Sequence, residues 1–138
     1  MILTGKASIL VLANQTAMSP GLEAALRARL DRGLAMFTVV LPLGRSAEAR
    51  ELALAVATRL RDAGFEADAR SGDRDPLHAV LEAWEPARFD EIIVLTLPAA
   101  TSRWLASGLP RRIERATGAL VRHVETPARQ LERARVAA

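Results

Sequence analysis

Residues placed to line a ligand gather at four places along the 138-residue chain, each at or just beyond the end of a predicted strand: Asn14-Gln15-Thr16, Leu41-Pro42, Gly72-Asp73, and Thr96 with Ser102-Arg103. Asn14 and Thr16 offer side-chain hydrogen bonds. Gly72 allows close approach to the backbone, and Asp73 is able to accept from a ribose hydroxyl. Arg103 is a cationic donor suited to phosphate, since a guanidinium binds oxyanions through charge-assisted hydrogen bonds. Two of these places have a purely structural alternative. Residues 71–76 (SGDRDP) also read as a strand-to-helix turn with Asp75 as N-cap, and Ser102-Arg103 as an ordinary helix start. The chemistry these groups share is recognition of a polar, phosphate-bearing ligand.

Bond-making chemistry has less support. The chain has no Cys, which excludes thiolate catalysis, disulfides and cysteine-ligated zinc. His78 and His123 lie far apart, and no Ser or Thr has an evident His and carboxylate partner. Neither GxxxxGK[ST] nor GxGxxG occurs after a strand. A receiver-type phosphorylation site needs an acidic cluster after the first strand, where this chain has Ala13-Asn14-Gln15-Thr16. Asp73 is the best general base available to an enzyme. His78 reads as a solvated or capping residue at the start of a helix.

Composition sets the class. Half the residues are hydrophobic and a quarter charged, which suits a folded domain and excludes disorder. The apolar stretches 9–13 and 92–100 are far shorter than the roughly 20 residues that span a bilayer. The first run ends without a cleavage-type small-residue site, so the expected location is the cytoplasm. The net charge of +3 is uneven: from Thr101 onward eight arginines face three glutamates. A basic final third either attracts a phosphate or acidic surface or forms a solvated helical face. Nucleic acid is disfavoured as a partner, because aromatics are few and Tyr is absent.

The elements that position these residues alternate. Apolar runs at 7–13, 34–41 and 91–97, an alternating run at 65–70 and a last run at 119–125 predict five strands. Between them, Ser19-Pro20, Ser46 and Asp75-Pro76 predict helix starts. The spacing of Leu22, Ala25, Leu26 and Leu30, of Leu52, Val56 and Leu60, and of Leu77, Val80, Leu81 and Trp84 marks their buried faces. A basic helix is expected over 103–117, stopped by Gly118. This order predicts a three-layer α/β sandwich with a five-stranded parallel sheet, order 3-2-1-4-5. Ligands bind such sheets at the carboxyl ends of the strands, where the order reverses. The helix opening at Ser19-Pro20 is expected to aim free N–H groups at that crevice. A single domain covers 1–126, and 127–138 is a tail, helical or disordered.

Two segments carry a family resemblance. Residues 71–81 (SGDRDPLHAVL) are similar to a G-D-P segment followed by an amphipathic helix, and 89–95 (FDEIIVL) to a D-x-I-V fourth strand. On these, and on element order over 6–126, the chain resembles the universal stress protein family of the adenine-nucleotide-binding, Rossmann-like α/β superfamily. The resemblance implies the 3-2-1-4-5 sheet and an ATP or related adenine-nucleotide site, with Mg. That site would comprise Asn14, Gln15, Thr16, Leu41, Gly72, Asp73, Thr96, Ser102 and Arg103. It also implies a homodimer through the last strand and a stress-response role without established catalysis.

Departures accompany it. Asn14 stands where ATP-binding members carry Asp, and residues 97–112 lack the G-x-x-G-x(9)-G-[ST] phosphate loop. Pro110 has no amide to donate, which leaves Arg103, Arg111 and Arg112 to supply charge. Arg122, His123 and Glu125 replace an apolar last strand. The expected function is therefore a non-catalytic module. It either binds an adenine nucleotide or related anion weakly, or acts as a stress-linked interaction module with a degenerate nucleotide site. The alternative is an enzyme acting on a nucleotide or phosphorylated small molecule at the same crevice.

Overall fold

Residues 9–13 are wholly shielded from water, which requires cover on both faces of the strand they form. The computed structural model describes residues 5–14, 16–98 and 102–126. In it β1 (Ala7–Leu12) is the middle strand of a five-stranded sheet of order β3-β2-β1-β4-β5. The others are β2 (Ala35–Leu41), β3 (Ala67–Ser71), β4 (Glu91–Thr96) and β5 (Leu120–Glu125), every pairing parallel. Helices α1 (Pro20–Leu30), α2 (Ala47–Asp62), α3 (Pro76–Ala83), α4 (Arg103–Ala106) and α5 (Leu109–Thr117) connect them.

Successive side chains of a strand point to opposite faces, and two cores result. Ile9, Val11, Phe37, Val39 and Ile93 pack with Leu22 and Leu26 of α1 and Val56 and Leu60 of α2. Leu10, Leu12, Ile92 and Val94 pack with Val80 of α3 and Leu109 and Ile113 of α5. The result is the three-layer sandwich expected from sequence. The caps match too: Ser19 accepts from the Gly21 amide, Ser46 from Ala49, and Asp75 from Leu77 and His78.

Four details differ from expectation. The basic helix is broken into α4 and α5, because Pro110 in a continuous helix would clash with the preceding turn. Gly108 takes a left-handed conformation (φ +71°) and lets α5 restart with proline in its first turn. On α2 the sheet receives Ala49, Ala53, Val56, Ala57 and Leu60, while Leu52 and Leu54 are exposed. Leu81 of α3 is likewise exposed, with Ala79 and Ala83 buried instead. The third strand begins at Ala67 rather than at 65, because the Phe65 amide closes the end of α2 by donating to the Leu60 carbonyl. The tail expected at 127–138 lies outside the described residues.

Charged groups tie down the sheet margins. At the amino end of β4, the buried Glu91 carboxylate accepts from Arg29 Nε at 2.7 Å. Arg32 and Arg122 each stand 3.9 Å from the same oxygen. At the β3 edge, Arg61 donates to the Ala67 carbonyl (2.9 Å) and to Asp68 Oδ1 (3.1 Å). The same Asp68 oxygen accepts the Ala69 amide at 2.9 Å. Removing one member of a buried ion pair strands its partner's charge. Arg29→Met is expected to destabilise the fold by about 3 kcal/mol. Adding Glu91→Gln should recover part of that loss, both read as urea midpoints with unchanged slope. Equal midpoints for Arg29→Met and the parent would show the pair to be without consequence.

Candidate functional site

Because all five strands run the same way, their carboxyl ends form one rim. The β1–β4 register pairs Leu12 with Val94. The loop after β1, which carries Asn14 and Thr16, and Thr96 at the end of β4 therefore lie on the rim where the sheet order reverses. Thr96 is buried, its hydroxyl 2.8 Å from His123 Nε2 on β5, and its carbonyl accepts the Thr126 amide. The Thr16 carbonyl accepts from both the amide (3.0 Å) and hydroxyl (2.8 Å) of Ser19. Its own Oγ1 is buried with no hydrogen-bond partner among the described residues, and so is Oγ1 of Thr126. Orphaned buried hydroxyls are rare and costly. Here they mark the loops on either side of the β4 end. Gln15 lies outside the described residues.

The opening of α1 is not the free donor set expected from sequence. Pro20 has no amide, Gly21 donates to Ser19 Oγ (3.2 Å) and Leu22 to the Ser19 carbonyl (3.2 Å). A serine cap thus consumes donors that an anion would need.

The other half of the rim is closed by the protein itself. Gly72 donates to the Leu41 carbonyl (2.9 Å) and accepts from the Gly44 amide (2.8 Å). A Cβ on Gly72 would stand 3.3 Å from Ala79 Cβ and 3.5 Å from Glu82 Oε1. The close approach that Gly72 permits is therefore to α3. Asp73 Oδ1 accepts the Asp75 amide at 2.8 Å, a turn-forming bond. The Asp73 amide in turn donates to Glu82 Oε1 at 3.2 Å. Glu82 also receives Arg45 Nη2 at 2.6 Å, so one carboxylate bridges the loops after β2 and β3. These two donors hold its pKa below the ordinary 4.5, the Arg45 hydrogen bond contributing most. Sequence reasoning missed Glu82, since a glutamate in the last turn of a helix reads as solvated surface.

Beyond β4, Ser102 is buried and its Oγ accepts the Leu105 amide at 3.2 Å, so it serves as a cap. Arg103, Arg111 and Arg112 are exposed on the same flank. His78 is exposed, with Nδ1 3.8 Å from Asp75. Trp84 stacks on Phe89 with centroids 6.1 Å apart, a packing role. Among the described residues no group of three His, Asp or Glu side chains is placed to hold a metal ion. No described helix is long and apolar enough to cross a membrane. No protein-family model matches the chain, and no curated protein matches it.

Two outcomes test the closed half. Gly72→Val should cost about 1–3 kcal/mol of stability by overpacking against α3. An unchanged denaturation midpoint would free Gly72 from that role. Because the Glu82 pKa is lowered on folding, its stabilisation is present above pH 4.5 and disappears as pH falls through the lower folded value. Glu82→Gln should therefore lower the melting temperature at pH 7 and flatten its fall in acid. Parallel pH profiles for the two proteins would refute this linkage.

Proposed function

We propose that the chain is a non-catalytic binding module of universal stress type, taking an adenine nucleotide or related anion weakly at the β1–β4 switch point. The observation that carries this reading is the Thr16 hydroxyl, buried and unpartnered among the described residues, in the loop where a doubly wound sheet of this order offers its crevice. Asn14 and Thr96 stand on the same rim, and Arg103 is exposed on the flank beyond β4. Weak affinity follows from what the rim has already used. Ser19 occupies the α1 donors, Ser102 is a cap, and the Leu41–Gly72–Asp73 half is bonded to itself. The same facts support the companion reading, a stress-linked interaction module of the cytoplasm with a degenerate nucleotide site. An enzyme at this crevice draws less support, because Asp73 is engaged in its turn.

A thermal-shift titration with ATP, ADP, AMP and cyclic AMP, with and without magnesium, tests the proposal. A ligand at 100 times its dissociation constant stabilises by about 2.7 kcal/mol. A saturable rise for at least one nucleotide is expected, and Arg103→Ala should reduce it. Thr16→Val should raise the melting temperature of the free protein by removing an unsatisfied hydroxyl, and should abolish the nucleotide shift. No shift with any nucleotide would leave the interaction module as the reading.

A further inference from the structure

Among the described residues, ion pairs match one cation to one carboxylate except at Glu91. There a single oxygen, Oε1, faces three arginines. Arg29 holds it by a 2.7 Å hydrogen bond and spends Nη1 on the Gly33 carbonyl at 3.2 Å. Both members of that pair are buried, so the Glu91 charge is already met. Arg32 Nη2 and Arg122 Nε stand at 3.9 Å, beyond hydrogen-bond reach. No other carboxylate of the described residues lies within ion-pair distance of either. Two positive charges are therefore surplus at this margin of the sheet, on side chains that are 43% exposed.

The surplus charges are brought to one place. Both nitrogens stand 3.9 Å from the same oxygen, so their separation is at most twice that distance. Strand register agrees with this. Glu91 pairs with Leu120 and Ile93 with Arg122, and alternation turns all four to the face on which Ile93 packs with α1. Leu120 is 56% exposed on that face. Helical cover thus stops short of β5, and Arg122 stands on a ledge open to solvent.

We propose that Arg32 and Arg122 clamp a tetrahedral oxyanion on this ledge, either free phosphate or the phosphate of a small ester. A phosphate accepting one charge-assisted hydrogen bond of about 2.8 Å from each arginine spans a gap of that size. A phosphate monoester carries about −1.5 to −2 charges at neutral pH, which meets both surplus cations where a monocarboxylate meets one. Glu91 opposes the bound anion, and its hydrogen bond to Arg29 limits that opposition. The site lies at the amino end of β4, away from the switch-point rim at its carboxyl end. It uses none of Asn14, Thr16, Thr96 or Arg103, and it stands whether or not the switch point binds a nucleotide.

Isothermal titration of the full chain at constant ionic strength tests it, with inorganic phosphate, glycerol 3-phosphate and acetate as probes. At least one phosphate should saturate and bind at least about tenfold tighter than acetate. The tighter of the two distinguishes a free phosphate from an ester. No saturation by either, or equal affinity for acetate, would overturn the proposal. Arg32→Gln and Arg122→Gln should each weaken phosphate at least about tenfold with a nearly unchanged melting temperature, both residues being exposed. Arg88→Gln removes an exposed arginine that faces Glu85 and should leave the affinity unchanged. Equal weakening by all three would reduce the attraction to net charge and remove the site. Glu91→Gln, titrated well below its melting temperature, should tighten phosphate about threefold by deleting the opposing charge. Without that gain, the anion does not sit beside Glu91 and the clamp is refuted. Amide shifts on adding phosphate should fall on 29–33, 91–93 and 120–124. Shifts confined to the switch-point loops would overturn the clamp and assign the phosphate to the nucleotide crevice.

Discussion

From Ile9 to Leu12 neither face of β1 reaches water, and most of the architecture follows from that constraint. A strand buried on both sides needs a helical layer on each, and parallel neighbours need crossovers that supply those layers. Helices α1 and α2 cover one face; the chain then crosses to the far side of β1, and α3 and α5 cover the other. This crossing opens a gap between the loops that leave β1 and β4. The crevice is thus a by-product of protecting the centre of the sheet, and residues placed in its loops are available for other work.

The rim divides according to how each loop satisfies its own polar groups. After β2 and β3, backbone bonds and the Glu82 carboxylate meet nearly every need, and the turn is rigid for that reason. After β1 and β5, the hydroxyls of Thr16 and Thr126 are buried without partners among the described residues. A protein keeps such groups at a cost, and the asymmetry locates the half of the rim where a ligand has something to offer. At the opposite margin, the Glu91 carboxylate collects three arginines from α1, the turn after it and β5, securing the sheet away from the crevice.

The strands and helix starts were legible in the sequence because each has a local signature: unbroken apolar runs for β1, β2 and β4, and Ser19, Ser46 and Asp75-Pro76 for the caps. Strand order followed from alternation and crossover handedness. The inner face of α2 was legible in part. Val56 and Leu60 are buried as their spacing implied, but Ala49, Ala53 and Ala57 complete that face and Leu52 is exposed, a choice made by tertiary packing. The break at Gly108 was written in Pro110, yet the basic run around it favoured one helix. At the site, Asn14, Thr16 and Thr96 could be placed from strand order alone. Glu82 could not, because its partners lie in two loops whose approach depends on the packing of α3 against Gly72. Gly72 itself was correctly seen as a point of close approach, but what approaches is the protein's own helix.

The hydrogen bonds along β3 blunt one edge of the sheet. A parallel edge strand presents alternate amides and carbonyls outward, ready to template another chain. On β3 the outward Ala67 carbonyl and Ala69 amide are already taken by Arg61 and Asp68, side chains of its own neighbourhood. A strand from another molecule would have to displace an ion pair before forming its first bonds there. Edge-to-edge pairing at β3 therefore carries a cost that an edge with free amides and carbonyls would not impose.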